Sequence, residues 1–362
     1  MKIRLLKTIA AGLMVVSAAY AQAPQAGAFG APSPAKIPAE PELVGTLPWA
    51  TTTAPIQYLM IQVGDGGSGP YKAVLVGDPN LKTHTLYRPR DLKPFGAGLK
   101  LPVVAYGNGA CRNASSEVRN LLTEIASHGF LVVAIGPALA SAIGGSLVAG
   151  STRSAQLLDA IDWAASENAR DGSEYFGKVD TSKVAVMGQS CGGLQAIEVS
   201  PDPRITTTVM LNSGIIGGSM GAMMAGRGGQ PPAGQAANPG APGQPGNPGA
   251  AMPGMPRVSK DQLAKLHAPI AYIIGGKIDI AYPNATDDFA RIDKVPVFMA
   301  NREVGHYPAT YLEPRGGAFG VAAAAWLEWQ LKGDRTAAKM FAGEKCGLCV
   351  DPSWTVVKKG IP

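Results

Sequence analysis

Lys183-Val-Ala-Val-Met-Gly-Gln-Ser-Cys-Gly-Gly-Leu-Gln-Ala-Ile197 is the stretch whose reading decides the fold of this chain. It opens with an apolar run of strand type and closes, from Gly192 onward, on residues that suit a helix. Between them lies G-Q-S-C-G, Gly188 to Gly192, a serine with glycines on both sides. A strand that turns sharply into a helix through such a pentapeptide lifts the serine Oγ clear of the sheet, where it can act as a nucleophile. The pentapeptide alone is a weak signal. With 46 glycines in 362 residues, random placement gives roughly 0.3 matches to G-x-S-x-G. The strand before it and the helix after it carry the weight.

Outward from this turn, strands and helices alternate. Leu101–Tyr106 reads as a strand, Ser115–Ser127 as a helix closed by His128-Gly129, and Phe130–Ile135 as the next strand. Ser154–Glu167 and Gly192–Ser200 read as helices on either side of the strand Val184–Met187. Thr206–Leu211, Ile270–Ile274 and Val295–Met299 supply three more strands, and Ala318–Leu331 a closing helix. Upstream, Tyr71–Val76 and Thr83–Tyr87 read as an antiparallel opening pair. Alternation of this kind predicts a doubly wound, mostly parallel sheet with helices on both faces, the α/β class of the α/β-hydrolase fold. The domain is expected over residues 51–343, with 344–362 as a cysteine-containing tail. The late pair Lys358-Lys359 reads as part of a solvated tail.

A hydrophobic fraction of 46% supports one large core. Residues 1–21 carry Lys2, Arg4 and Lys7, an apolar stretch from Thr8 to Ala18 and the small-residue site Ala19-Tyr20-Ala21. These predict a secretory signal cut after Ala21 and export to the periplasm or beyond. The apolar stretch is about half the roughly 20 residues of a spanning helix, so no stable membrane span is expected. Without this segment 29 basic residues face 26 acidic ones. No basic run with interleaved aromatics is present, which argues against nucleic acid as a partner. Residues 22–50 read as a Pro/Ala-rich flexible leader. Residues 214–257 read as a disordered Gly/Pro-rich insertion, either a mobile lid or a tolerated spacer.

A nucleophilic serine needs a base, an acid to orient the base, and donors for the oxyanion. In this fold the chain order is serine, acid, histidine. His84 and His128 precede Ser190, and His267 precedes the strand that should carry the acid. His306, in Val304-Gly-His-Tyr-Pro308 after the last parallel strand, is the expected base. Asp279, just past the strand Ile270–Ile274, is the expected acid. Asp287 and Asp288 fall in the following helix and read as solvated, and Asp293 is a lower-ranked loop candidate. The expected oxyanion donors are the amides of Cys191, next to the nucleophile, and of Asn108 in Tyr106-Gly-Asn-Gly-Ala-Cys111, with Gly109 as the alternative.

Four cysteines suit an oxidising compartment. Cys111 and Cys191 each lie at or near an expected oxyanion donor, so the fold brings them close. They read either as a bridge that stiffens the hole or as two small buried thiols. Cys346-Gly-Leu-Cys349 has thioredoxin-like spacing but sits in a tail, which favours a local structural disulfide over redox chemistry or zinc. The chemistry calls for no metal or cofactor.

Several segments resemble the secreted α/β-hydrolases of the polyester hydrolase, cutinase-like lipase and dienelactone hydrolase group. They are Pro102–Asn108, Ile125–Phe130, Thr152–Leu157, Val184–Ser190 and Gly275–Asp279. The resemblance implies Ser190, Asp279 and His306 as the triad and Asn108 and Cys191 as oxyanion donors. Where polyester hydrolases carry a bulky aromatic after the strand ending here at Leu211, this chain has Ile215 and Ile216. That departure and the polar side chain of Asn108 argue for a smaller or more polar acyl ester. The expected function is an exported serine carboxylic-ester hydrolase acting on a small-molecule or polymeric ester. The alternatives are an amidase or peptidase with the same triad, or a non-catalytic binding protein on the same fold.

Overall fold

The computed structural model describes residues 41–46, 59–143, 151–216, 255–307 and 309–362, all within the compact unit Lys36–Pro362. The expected signal segment, most of the leader and most of the 214–257 insertion lie outside the described residues. Among the described residues eleven strands form one sheet: β1 (Pro41–Thr46), β2 (Leu59–Val63), β3 (Ala73–Val76), β4 (His84–Pro89), β5 (Leu101–Gly107), β6 (Leu131–Ile135), β7 (Val179–Gln189), β8 (Ile205–Leu211), β9 (Ile270–Ile274), β10 (Val297–Asn301) and β11 (Thr355–Lys359). Their order is β1-β2-β3-β4-β6-β5-β7-β8-β9-β10-β11. The run from β6 to β10 is parallel, and the flanking strands join antiparallel. The sheet is therefore mixed and largely parallel.

The central strands are apolar on both sides because both sides are covered. On one face Val104 and Tyr106 of β5, Val132 of β6 and Met187 of β7 share a core with α1 (Arg119–Ser127) and, late in the chain, the helix Gly317–Lys332. Trp326 of that helix is fully buried and donates its indole N–H to Thr207 Oγ1 at 2.9 Å. On the other face Val103 and Ala105 of β5, Val133 of β6 and Val186 of β7 pack on Leu157, Ile161 and Ala164. α2 (Ala138–Ile143) precedes that second layer, and α3 (Ala155–Ala169) forms it. α4 (Cys191–Val199) follows β7, α5 (Tyr282–Arg291) follows β9, and α6 is the Gly317–Lys332 helix.

Both sheet edges run past the expected 51–343 boundary. β1 begins at Pro41, inside the stretch read as a flexible leader, because Leu43 to Gly45 pair with Ile61 to Met60 across a register shift. The tail after 343 is not merely appended. Cys346 and Trp354 enter the core, and β11 pairs along the whole of β10. Lys358 Nζ is tied to Phe341 O and Gly343 O, and Lys359 Nζ pairs with Asp293 at 3.0 Å. Lysines on a short edge strand also discourage pairing with another chain.

Candidate active site

Ser190 stands between β7 and α4 with φ 52° and ψ −117°. This left-handed conformation is costly for a residue with a side chain and persists only where neighbours hold it. Ser190 N–H donates to Leu211 O on β8 at 2.9 Å. Its carbonyl accepts from Gly193 N–H at 2.9 Å and from the Ser213 hydroxyl at 2.7 Å. The neighbouring glycines serve close approach rather than backbone freedom. A Cβ on Gly188 would come within 2.2 Å of Gly192 O, and one on Gly192 within 2.0 Å of Gly107 O. The unusual φ belongs to the serine itself.

Ser190 Oγ lies 2.9 Å from His306 Nε2. His306 Nδ1 lies 2.6 Å from Asp279 Oδ1. With a carboxylate as acceptor, Nδ1 carries the proton and the Nε2 lone pair faces the serine hydroxyl. Asp279 is buried at 1% exposure. Its Oδ1 also accepts Ala281 N–H at 2.8 Å. Its Oδ2 accepts Gly275 N–H at 2.9 Å and Asn212 Nδ2 at 2.7 Å. Burial pushes this carboxyl up, but His306, the Ala281 N–H and the Asn212 amide together outweigh burial and hold it below its ordinary value. The three groups sit just past the C-terminal ends of β7, β9 and β10, the rim where ligands bind in open parallel sheets.

Asn108 follows β5 and lies against the first turn of α4: a Cβ on Gly192 would stand 2.6 Å from the Asn108 backbone nitrogen. Its side chain is not offered to a substrate. Nδ2 donates to Ile135 O at 2.6 Å and to Arg112 O at 2.9 Å, and the residue is 3% exposed. The expectation built on a polar side chain at this position is therefore corrected. Cys191 opens α4, and its sulfur is joined to Cys111. Cys346 and Cys349 form the second disulfide.

The other acidic candidates lie apart from Ser190. Asp293 pairs with Lys359, and Asp287 with Arg291 and Lys260. Asp288 corrects the expectation of a solvated residue. It is fully buried, accepts from Ile215 N–H, Tyr272 and Lys260, and burial pushes its carboxyl up to about 6 against the pull of Lys260. Its place on the inward face of α5 was hidden in Thr286-Asp-Asp-Phe289, where two adjacent aspartates look alike.

Asn212, Ser213, Tyr311 and Tyr307 join the site without having been expected there. Asn212-Ser213-Gly214 carried a signal, a polar triplet at the end of the strand beside the one that leads to Ser190. Tyr311, whose hydroxyl donates to Asn212 Oδ1, had none in its local sequence. Tyr307 is 53% exposed, with its ring 5.4 Å from that of His306.

Comparison with known proteins adds a family match over part of the chain. Residues 91–213 match PETase, PET hydrolase-like. The PETase match covers about a third of the chain and includes Asn108, Cys111, Ser190, Cys191 and the Asn212-Ser213 pair, while Asp279 and His306 lie beyond it. It agrees with the resemblance read from the sequence and supports the α/β-hydrolase type. No curated protein matches the chain.

Proposed function

We propose that this chain is an exported serine carboxylic-ester hydrolase working through an acyl-enzyme. The observation that carries the reading is the unbroken hydrogen-bonded chain Ser190–His306–Asp279 at the strand ends. Ser190 Oγ attacks the ester carbonyl as His306 Nε2 takes its proton. Asp279 holds the Nδ1–H and stabilises the imidazolium. The Cys191 and Asn108 amides receive the charge that develops on the carbonyl oxygen. Collapse expels the alcohol, protonated by His306, and water then repeats the sequence on the acyl-serine. Export is supported by the basic and apolar pattern of residues 1–21 and by two disulfides. Among the described residues no helix is long and apolar enough to cross a membrane.

The substrate reading changes from the small polar ester expected above. Ile215 is buried, so it does not stand in for a missing aromatic at the surface. Ile278, Ile280 and Tyr307 are exposed immediately beside the acid and the base. An apolar rim of this kind favours an ester with an apolar body. The test is labelling of the purified protein with a fluorophosphonate, alongside Ser190→Ala, and turnover of short and long p-nitrophenyl esters. Labelling is expected only in the wild type, with turnover falling by on the order of 10⁶-fold in Ser190→Ala and kcat/KM favouring the longer ester. A wild type that neither labels nor turns over would leave the non-catalytic binding reading in its place.

A further inference from the structure

Cys111, three residues after Asn108, is disulfide-bonded to Cys191, the first residue of α4, with the Cα atoms 5.2 Å apart and both residues buried. The backbone leading to that bond is unusual. Ala110 and Cys111 have φ of 52° and 49°. A non-glycine residue at such φ is strained and persists where its surroundings over-determine it.

Two ties to α4 do so. One is the disulfide. The other is polar: Cys111 O accepts both the Thr152 hydroxyl at 2.9 Å and its N–H at 3.3 Å, and Thr152 Oγ1 in turn accepts Gln195 Nε2 of α4 at 3.0 Å. No hydrogen bond in either tie involves the side chains of Ser190, His306 or Asp279.

We propose, on the basis of the hydrolase reading above, that the Cys111–Cys191 disulfide is a positioning element for the reaction. It sets the Asn108 amide against the Cys191 amide at the spacing an oxyanion requires, so that the chain reaches full turnover only in its oxidised form. Without the covalent tie, Ala110 and Cys111 relax toward negative φ and carry the Asn108 N–H away from α4. The oxyanion donors act on charge that exists only in the transition state, so kcat falls while KM stays. Misplacing one donor costs on the order of 10²-fold. The redox step is a two-electron exchange with a dithiol. One of its thiolates attacks a sulfur of the bond to give a mixed disulfide, and its second thiolate closes the cyclic disulfide. Two protons end on the thiols of Cys111 and Cys191.

The experiment measures kcat and KM on a p-nitrophenyl ester for the wild type, for the wild type reduced with dithiothreitol and then re-oxidised, for Cys111→Ala, and for Cys346→Ala/Cys349→Ala. Mass spectrometry establishes the redox state and near-ultraviolet circular dichroism the fold. Reduction and Cys111→Ala are expected to lower kcat about 100-fold with KM changed by less than about twofold and the pH profile of kcat/KM in place. Re-oxidation restores the wild type, and the Cys346/Cys349 double variant keeps its kcat. Should Cys111→Ala not fold, the reduced wild type decides. A folded reduced protein that keeps its kcat overturns the proposal, as does one whose KM alone rises. A reduced protein that unfolds also overturns it, since the bond would then be a staple of the fold. A wild type with no turnover would instead sink the hydrolase reading, and this proposal with it.

Discussion

Asn212 holds Asp279 through the carboxylate oxygen that His306 does not use, and the same side-chain amide donates to Gly305 O at 3.1 Å, one residue before His306. It thus aligns Asp279 and the His306 loop together, itself fixed at φ 44° and by the Tyr311 hydroxyl. Asn212→Ala removes one of the two donors on Oδ2 and leaves Gly275 N–H, so kcat is expected to fall by about 10-fold, near 1.4 kcal/mol, with KM little changed. Asn212→Asp places a second carboxylate beside Asp279, pushing that carboxyl up and moving the acid limb of kcat/KM to higher pH. A pH–rate profile that does not shift in Asn212→Asp would remove Asn212 from this role. That Ser190, His306 and Asp279 come together was legible because chain order and strand ends restrict where each can fall. Asn212 and Tyr311 were not, since what selects them is a contact between segments far apart in sequence.

At the scale of elements, the elbow works because three backbone segments meet without side chains between them. Gly192 sits against Gly107 O and Asn108 N, atoms that cannot move without shifting β5 or its loop. Gly192→Ala is therefore expected to destabilise by about 2–3 kcal/mol. Gly98→Ala, with nothing within 4 Å of the added Cβ, should be neutral or stabilising by up to about 1 kcal/mol through the unfolded chain. Thermal melts of the two variants compare these directly, and equal Tm values would refute the packing account. The strands β5 to β10 were legible because burial on both faces leaves an apolar run with few polar interruptions. β7 reads shorter than it is because Asp180-Thr181-Ser182 resembles a turn. The sheet absorbs it as a register shift, with Pro102 opposite Asp180 and Val103 opposite Val184. The edge strands β1 and β11 escaped because edges need little burial and carry Pro, Gly and Lys.

Across the whole molecule, one charged cluster braces the β2–β3 turn, α1 and α6 together. His128 at the end of α1 lies 2.9 Å from Glu328 of α6 and 3.3 Å from Glu124 of α1. Glu124 in turn accepts the Ser68 N–H at 2.8 Å and its hydroxyl. Burial pulls His128 down, but the hydrogen bonds and charges of the two glutamates outweigh it and hold the imidazole at about 9, against 6.5 for a free histidine. The folded state therefore binds this proton more tightly than the unfolded chain. The stabilisation is fully present below pH 6.5 and is lost as pH rises toward 9. With solvent reaching part of the ring, the contribution is about 2 kcal/mol, or about 4 °C in Tm for a domain of this size. Lys332, whose Nζ donates to His128 O, is pushed down from 10.5 to about 8 by burial, so its contribution has the opposite sign, rising with pH from about 8 and overlapping the upper end of the His128 window. The wild-type curve alone therefore mixes two groups. The difference in Tm between the wild type and His128→Gln separates them. It is expected to be largest at pH 6 and to vanish near pH 9.5, whereas a difference constant across that range would show that His128 braces the fold by packing rather than by charge.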